Sequence, residues 1–475
     1  VAARGIGINV PALVFLTWST LTTSLPGAPQ PTNDAQELQL VVHPAPEPRP
    51  ALRYRLLPPP AEQIAGNAAV YYGKATAQQH YFFADRELDE RFWQWSDLPL
   101  EDLRKQGPAS APRIPDSIWS LLKRAALCKY CDWQVPPDAS PTVLDQVAPE
   151  LQQARSFARR LRTRARRQIL EGDLDGAIET LQVTYALARH LSTGETIFHP
   201  LVACSISLTA FHTVVDLMQQ PNAPNLYWAL TVLPRPFIDV RAALEHEAHT
   251  IYRLFPQLLE ASRHDGDTDY WNRQLHAISR HLASISQTDS NSYCPSRTDL
   301  LLRILARYPE ARRTLIEQGI PVEEVDRMPA ARLAILYTRY VYEQSRDRLL
   351  RLAYLPYWQV RPTLRQEAAQ LVPELRRREI LPVSRLLPAV WQPLEISARC
   401  DQQIALLRLI EALRMYAAAN GGRLPTRLSD LPVPAPLDPA TNKPFGYQVR
   451  DGAGIITCTP LAGGIRRVEL RILRD

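Results

Sequence analysis

Apolar residues recur every three or four positions along most of the chain between residues 61 and 420, which is the period of an α-helix with one buried face. The clearest case runs from Val147 to Leu191. Its first arm spaces Leu151, Ala154, Ala158, Leu161, Ala165 and Ile169 along one stripe, and its second arm does the same with Leu174, Ala177, Leu181, Tyr185 and Ala188. Glu171-Gly172-Asp173 stands between them, a glycine suited to a left-handed helix end and an aspartate suited to cap the next helix. Two amphipathic helices with so short a joint must bury facing stripes, so this is an αα-hairpin.

The same period predicts helices over Gly66–Ala77, Ala84–Trp95, Ile114–Cys131, Pro234–Arg263, Thr268–Ser286, Pro329–Pro356 and Leu364–Glu379. His199–Met218 is apolar almost all round and predicts a core helix. From Cys400 the pattern gives one more helix, ending at Asn420-Gly421-Gly422. Three runs with β character follow, Phe445–Arg450, Gly454–Thr459 and Val468–Leu473, with Asp451-Gly452 as a hairpin turn between the first two. The fold class is mainly α: an irregular stack of αα-hairpins, as a superhelix or bundle, closed by a small C-terminal α+β module.

The first 60 residues read differently. Residues 1–28 carry one arginine, Arg4, ahead of a largely uncharged stretch, and residues 6–25 suit an export signal or a membrane anchor. Residues 29–60 contain Pro44–Pro50 and Leu57–Pro60 and predict an extended proline-rich linker. The expected division is therefore 1–28 signal or anchor, 29–60 linker, 61–395 helical domain and 396–475 terminal module, in a protein exported to the periplasm or cell envelope.

Composition narrows the functional classes. The chain of 475 residues is 45% hydrophobic and carries a net charge of +6, enough apolar content for a substantial core. Of its 55 basic residues only Lys74, Lys105, Lys123, Lys129 and Lys443 are lysine. Arginine so dominant along the whole chain argues for compositional bias over a nucleic-acid surface. No G-x-S-x-G elbow, Walker loop or dinucleotide fingerprint is present, and no cofactor is expected.

Four groups of residues carry candidate chemistry. His246 and His249, in the run His-Glu-Ala-His, sit three apart. They could share a metal on one helix face, with a third ligand from His190, His199 or His212. The competing arrangement turns both imidazoles to solvent, opposite an apolar face of Leu244, Ala248, Ile251 and Phe255. Cys128 and Cys131 form a lone CxxC, open to a local disulfide or to simple packing. Arg155, Arg159, Arg160, Arg162, Arg164, Arg166 and Arg167 crowd the first hairpin arm. Arg159, Arg162 and Arg166 are candidates for partner binding, against a solvated face whose charges pair with Asp85, Glu87, Asp89 or Glu90. Trp93 and Trp95, with Phe92 and Trp119, could line a groove for a peptide or sugar, or could belong to the core.

Three resemblances attach to these motifs. Glu171–Leu181 (EGDLDGAIETL) resembles the middle of a tetratricopeptide repeat, over one hairpin and without a regular period around it. The order helix, Asn420-Gly421-Gly422, Leu424-Pro425, Asp438-Pro439, Pro444-Phe445-Gly446-Tyr447 resembles the C-terminal part of type II secretion pseudopilins, over about 70 residues. That likeness implies an accessory role in a secretion or pilus-like machine. In that family acidic loop residues can hold calcium, and here only Asp438 and Asp451 stand in comparable places. The stretches Gly66–Tyr72, Gly172–Ala177, Leu233–Glu245 and Asn420–Pro425 resemble exported helical proteins of planctomycete type, a likeness that implies no activity. Together these features predict a non-enzymatic scaffold binding a protein or peptide partner on a helical surface. The alternatives are a metal-dependent hydrolase using His246 and His249, and the secretion accessory.

Overall fold

In a computed structural model the protein is described over residues 36–82, 86–134, 143–286, 297–387 and 390–473. The segment at 6–25, Asp85 and Cys294 lie outside these residues. The chain opens with a strand, Gln36–Val42 (β1), and a short strand Ile64–Asn67 (β2). Helices Ala68–Phe82 (α1), Arg86–Asp97 (α2), Leu100–Gln106 (α3) and Asp116–Ala126 (α4) follow, then Cys128–Tyr130 (β3). The long hairpin is Val143–Glu171 (α5) and Leu174–Leu191 (α6), with Phe198–Met218 (α7) against it. Next come Tyr227–Thr231 (α8), Arg241–Leu254 (α9), Gln257–Glu260 (α10), Thr268–Ser286 (α11), Arg297–Glu317 (α12), Val322–Arg327 (α13), Ala330–Leu350 (α14) and Tyr357–Arg378 (α15). The last helix, Trp391–Ala419 (α16), leads into Leu437–Asp438 (β4), Lys443–Pro444 (β5), Gly446–Arg450 (β6), Ala453–Thr457 (β7) and Ile465–Ile472 (β8). The fold is mainly helical with a small C-terminal mixed sheet, as the apolar periodicity indicates.

The hairpin forms as its sequence dictates. Gly172 holds φ at +81°, a left-handed value that a side chain would oppose, and Asp173 caps α6 by accepting the Gly176 N–H at 3.0 Å. Both apolar stripes are buried together. α7 lies across the two arms and against α16. It is long and apolar enough to cross a membrane, but 67% of its apolar window is buried inside the protein. α16 is the centre of the molecule, and it ends where Gly421 and Gly422, at φ of +60° and +74°, let the Gly422 N–H return to the Ala417 carbonyl at 2.9 Å.

The apolar side chains form two main cores. One gathers α1, Phe92 of α2, α4 to α8, the start of α9, the end of α14, most of the buried face of α15, α16 and the sheet; the other gathers Ile251, α10 to α14 up to Tyr342, Leu375 and Ile380 to Leu386, around the fully buried Trp271. The boundary expected between residues 395 and 396 falls inside α16, whose side chains belong to the first core.

Three expectations need correction. Residues 36–60 are not a free linker. β1 pairs in parallel with β8, aligning Leu40 with Leu470 and Val42 with Ile472, in a sheet ordered β1-β8-β7-β6. Leu38, Leu40 and Val42 alternate with polar or exposed neighbours, so one face of β1 reaches the core. The following segment is fixed by a buried node. Arg414 and Glu411 are both 0% exposed and pair at 2.8 Å. Arg414 also donates to the carbonyls of His43 and Ala223, each at 2.9 Å. Second, Pro234–Arg263 is not one helix. Residues 234–240 are irregular, and Pro256 ends α9 after Leu254 because its ring cannot continue the hydrogen-bond ladder. Third, Ile114–Cys131 ends as a helix at Ala126; Cys128 enters β3, whose partner is β2 through Ile64.

Candidate functional site

A cleft with a cavity of about 630 Å³ opens against the first core, whose Leu233, Val240, Ala353, Leu394 and Ile404 line it. One wall is Leu233–Val240 with Arg241, the first residue of α9. A second is Ala353–Trp358, running from after α14 into the first turn of α15. The floor is α16 through Ser397, Asp401 and Arg408, and the far wall is the proline-rich strip before β4. Prolines 234, 236, 356, 434, 436 and 439 line it. Proline supplies rigid walls with no N–H to satisfy, which keeps a concave surface open at little entropic cost.

Each wall is fixed by its own hydrogen bonds. The Phe237 N–H donates to Asp401 Oδ1 at 2.8 Å, and Ser397 Oγ donates to the Ile238 carbonyl at 2.5 Å, tying the first wall to α16. Arg189 from α6 donates to the Phe237 carbonyl at 2.6 Å. The Tyr227 hydroxyl donates to the Pro434 carbonyl at 2.6 Å and holds the far wall. Tyr354 donates to Glu245, bridging the second wall to α9. Tyr354, Leu355, Trp358 and Leu437 remain open to solvent, at 56%, 48%, 38% and 45% exposure. Large apolar side chains exposed beside one cavity mark a binding surface more often than a resting one.

The cleft is also charged. Asp239 is chelated by Arg241, whose Nε and Nη2 lie 2.5–3.0 Å from the carboxylate. Burial pushes Asp401 up to about 6, against the pull of the Phe237 N–H, Arg235 and Arg189. Arg408 is 7% exposed and its Nε donates to Thr231 Oγ1 at 3.0 Å. Its guanidinium lies 5.3 Å from the Tyr227 ring centroid. Burial and the neighbouring Arg235 together draw Arg408 below the usual arginine range.

The residues singled out in the sequence lie elsewhere. His246 and His249 are exposed on α9, and each Nδ1 is engaged by its own helix, with the Ala242 carbonyl at 3.0 Å and the Glu245 carbonyl at 2.7 Å. His190, His199 and His212 are not beside them: the first two are buried and the third half-buried, near Tyr72, Trp133 and Phe211 respectively. Among the described residues no three His, Cys, Asp or Glu side chains gather as a metal site. None of His190, His199 and His212 joins His246 and His249 as the third ligand the sequence suggested.

Cys128 and Cys131 are free, buried thiols, which corrects the local disulfide. Burial raises both above the ordinary thiol value, so neither is primed as a nucleophile.

The arginine arm is not a freely solvated face: Arg160 and Arg166 are buried and the other five are half-buried. Arg166 is 2% exposed, and its Nη atoms donate to the carbonyls of Trp95, Ser96 and Leu98 at 2.7–3.0 Å. Its Nε lies 2.9 Å from Asp216. Arg162 is partly buried near Asp216 and Arg166, and burial lowers it. Arg159 stacks on half-buried Trp93 at 3.1 Å, and Trp95 is 3% exposed. The physical reason is that α2 and α7 cover the polar face of α5, so these side chains join elements inside the protein. Asp438, far from a calcium loop, is 2% exposed and accepts from Gln402, the Ala440 N–H and the Thr459 N–H.

A second cavity, of about 430 Å³, opens beside Tyr72 and Trp133, whose rings stack at 5.8 Å. His190 Nε2 lies 3.1 Å from the Cys128 carbonyl, which can only accept, so that nitrogen carries the proton. Nδ1 then accepts from the Tyr72 hydroxyl at 3.0 Å. Tyrosine, histidine and carbonyl consume one another's bonding capacity, which makes this a structural network.

The chain matches no family model, no curated protein and no solved structure.

Proposed function

We propose that the protein is a non-enzymatic binding scaffold, and that the proline-walled cleft on its first core takes an extended peptide segment of a protein partner. The observation that carries this reading is the wall Ala353–Trp358, where Tyr354, Leu355 and Trp358 stand exposed over a cavity walled by proline. Aromatic side chains give large contact area at low conformational cost, and aromatic-lined grooves suit extended, proline-bearing peptides whose backbone is already stiff. The walls are fixed by hydrogen bonds from three different helices, so the groove is formed before a ligand arrives. An envelope location remains part of this proposal, resting on residues 6–25.

The test is an array of proline-containing peptides probed with the purified protein and with a Tyr354→Ala/Trp358→Ala double variant. Both side chains are largely outside the cores, so the variant should keep the wild-type melting temperature. Removing two aromatic anchors should weaken retained peptides by about 10-fold to 100-fold. Equal binding by the two proteins, or no peptide retained by the wild type, would sink the proposal.

A further inference from the structure

Most buried or half-buried arginines in this protein face an acid or a row of carbonyls. Arg160 meets Asp89, Arg166 meets Asp216, Arg332 meets Asp265 and Arg414 meets Glu411. Arg408 breaks that rule. Its side-chain partners are neutral hydroxyls, those of Thr231 and Tyr227, and the neighbouring cation that lowers its protonation is another arginine, Arg235. Among the described residues neither Arg235 nor Arg408 lies within 4.0 Å of a carboxylate. Both line the same cavity.

The acids nearby do not resolve this. Asp239 is committed to Arg241 through both oxygens. Asp401 accepts the Phe237 N–H and its single charge is drawn on by both Arg235 and Arg189, which leaves Arg408 without a carboxylate of its own. Two like charges beside one cavity, one of them nearly buried, are destabilising unless a counter-charge joins them. A guanidinium presents five N–H donors in a planar fork, more than the Thr231 and Tyr227 hydroxyls can take, so Arg408 keeps Nη donors for another acceptor.

From this geometry we infer that Arg408 and Arg235 form an oxyanion subsite within the cleft, which receives a carboxylate of the bound peptide. The inference rests on the peptide reading above for the source of the anion, but not for the anion itself. A free phosphate would offer the same chemistry to the two guanidinium groups. The Nη donors of Arg408 would hold the oxyanion from the floor. Arg235, exposed at the rim, would close over it.

Inorganic phosphate is the first probe. Thermal stability and Trp fluorescence are followed in phosphate against chloride at matched ionic strength, for the wild type, Arg235→Gln and Arg408→Lys. Arg235 is at the surface, so its variant should fold; Arg408→Lys keeps the buried charge but loses the fork. Phosphate should stabilise the wild type, and each variant should bind it about tenfold more weakly or worse. The second arm takes peptides retained on the array and remakes each with its carboxylates as carboxamides. The acid forms should bind about tenfold tighter to the wild type and equally to Arg235→Gln. Phosphate binding that depends on both arginines, with no preference for acid peptides, would keep the anion subsite and overturn the peptide carboxylate as its occupant. Absence of any arginine-dependent effect of phosphate would overturn the subsite itself, whether or not peptides bind.

Discussion

At the scale of single residues, burial decides what the charges do. None of the seven arginines from Arg155 to Arg167 is fully exposed, although a run of charge on a helix usually marks its wet face. Sequence could place them opposite the apolar stripe but could not show that α2 and α7 would cover that side too. Aspartates were the available signal, and Asp89 does pair with Arg160 at 2.9 Å. Histidine follows the same logic. Burial draws His190, His199 and His212 down to about 4 from an ordinary value near 6.5. Between those two values the unfolded chain binds protons that the folded chain refuses. The stability these neutral histidines allow is therefore complete above pH 6.5 and is lost as pH falls toward 4. Glu247, pushed up to about 7, and Asp401, pushed up to about 6, act with the opposite sign, gaining stability as pH falls. His190→Gln isolates one of these groups. Glutamine can still accept from Tyr72 and donate to the Cys128 carbonyl. Urea unfolding should find the stability advantage of the wild type over this variant smaller at pH 4 than at pH 7, by on the order of 3 kcal/mol. A difference that does not change with pH would contradict the burial argument.

At the scale of elements, periodicity was enough wherever it was long. The arms of α5 and α6, the all-round apolar α7, and the three C-terminal strands lie close to where the apolar pattern puts them. It failed where proline set the reading. Pro44–Pro50 and Leu57–Pro60 drew attention to an extended linker, while Leu38, Leu40 and Val42 just before them alternated as a strand does. A strand this short says nothing of its partner, and β8 lies at the other end of the sequence. Its importance is open to measurement. Leu40 is 2% exposed against β8, so Leu40→Ala should cost about 2–5 kcal/mol in chemical denaturation. Hydrogen exchange should quicken in β8 with it. A variant as stable as the wild type would mean that β1 is dispensable.

At the scale of the whole molecule, the candidate site exists because segments distant in sequence meet on the first core. The sequence singled out Leu233–Glu245 as a recognisable stretch, and Pro234, Arg235, Pro236, Asp239 and Arg241 from it line the cleft. It could not supply the rest, because Tyr354, Trp358, Asp401, Arg408 and Pro434 come from segments up to two hundred positions away, and only the packing of α14 to α16 brings them together. If the two cores are separate cooperative units, damage to one should stay local. Trp271→Ala removes the largest side chain of the second core, at a cost of about 3–5 kcal/mol. Amide exchange should accelerate across α11 to α14 and leave α16 protected; uniform acceleration in both would show a single unit.

The buried node at Arg414 has a consequence for how the molecule is made. Its guanidinium grips the carbonyl of His43, a residue that precedes it by 371 positions. During synthesis at about 5–20 residues per second, that segment leaves the ribosome tens of seconds before the helix that will hold it. β1 waits longer still, since β8 is translated after the node. The earliest described strand is thus among the last to find its place. Until then its apolar edge is a liability in a nascent chain, one that a chaperone or a temporary partner would have to cover.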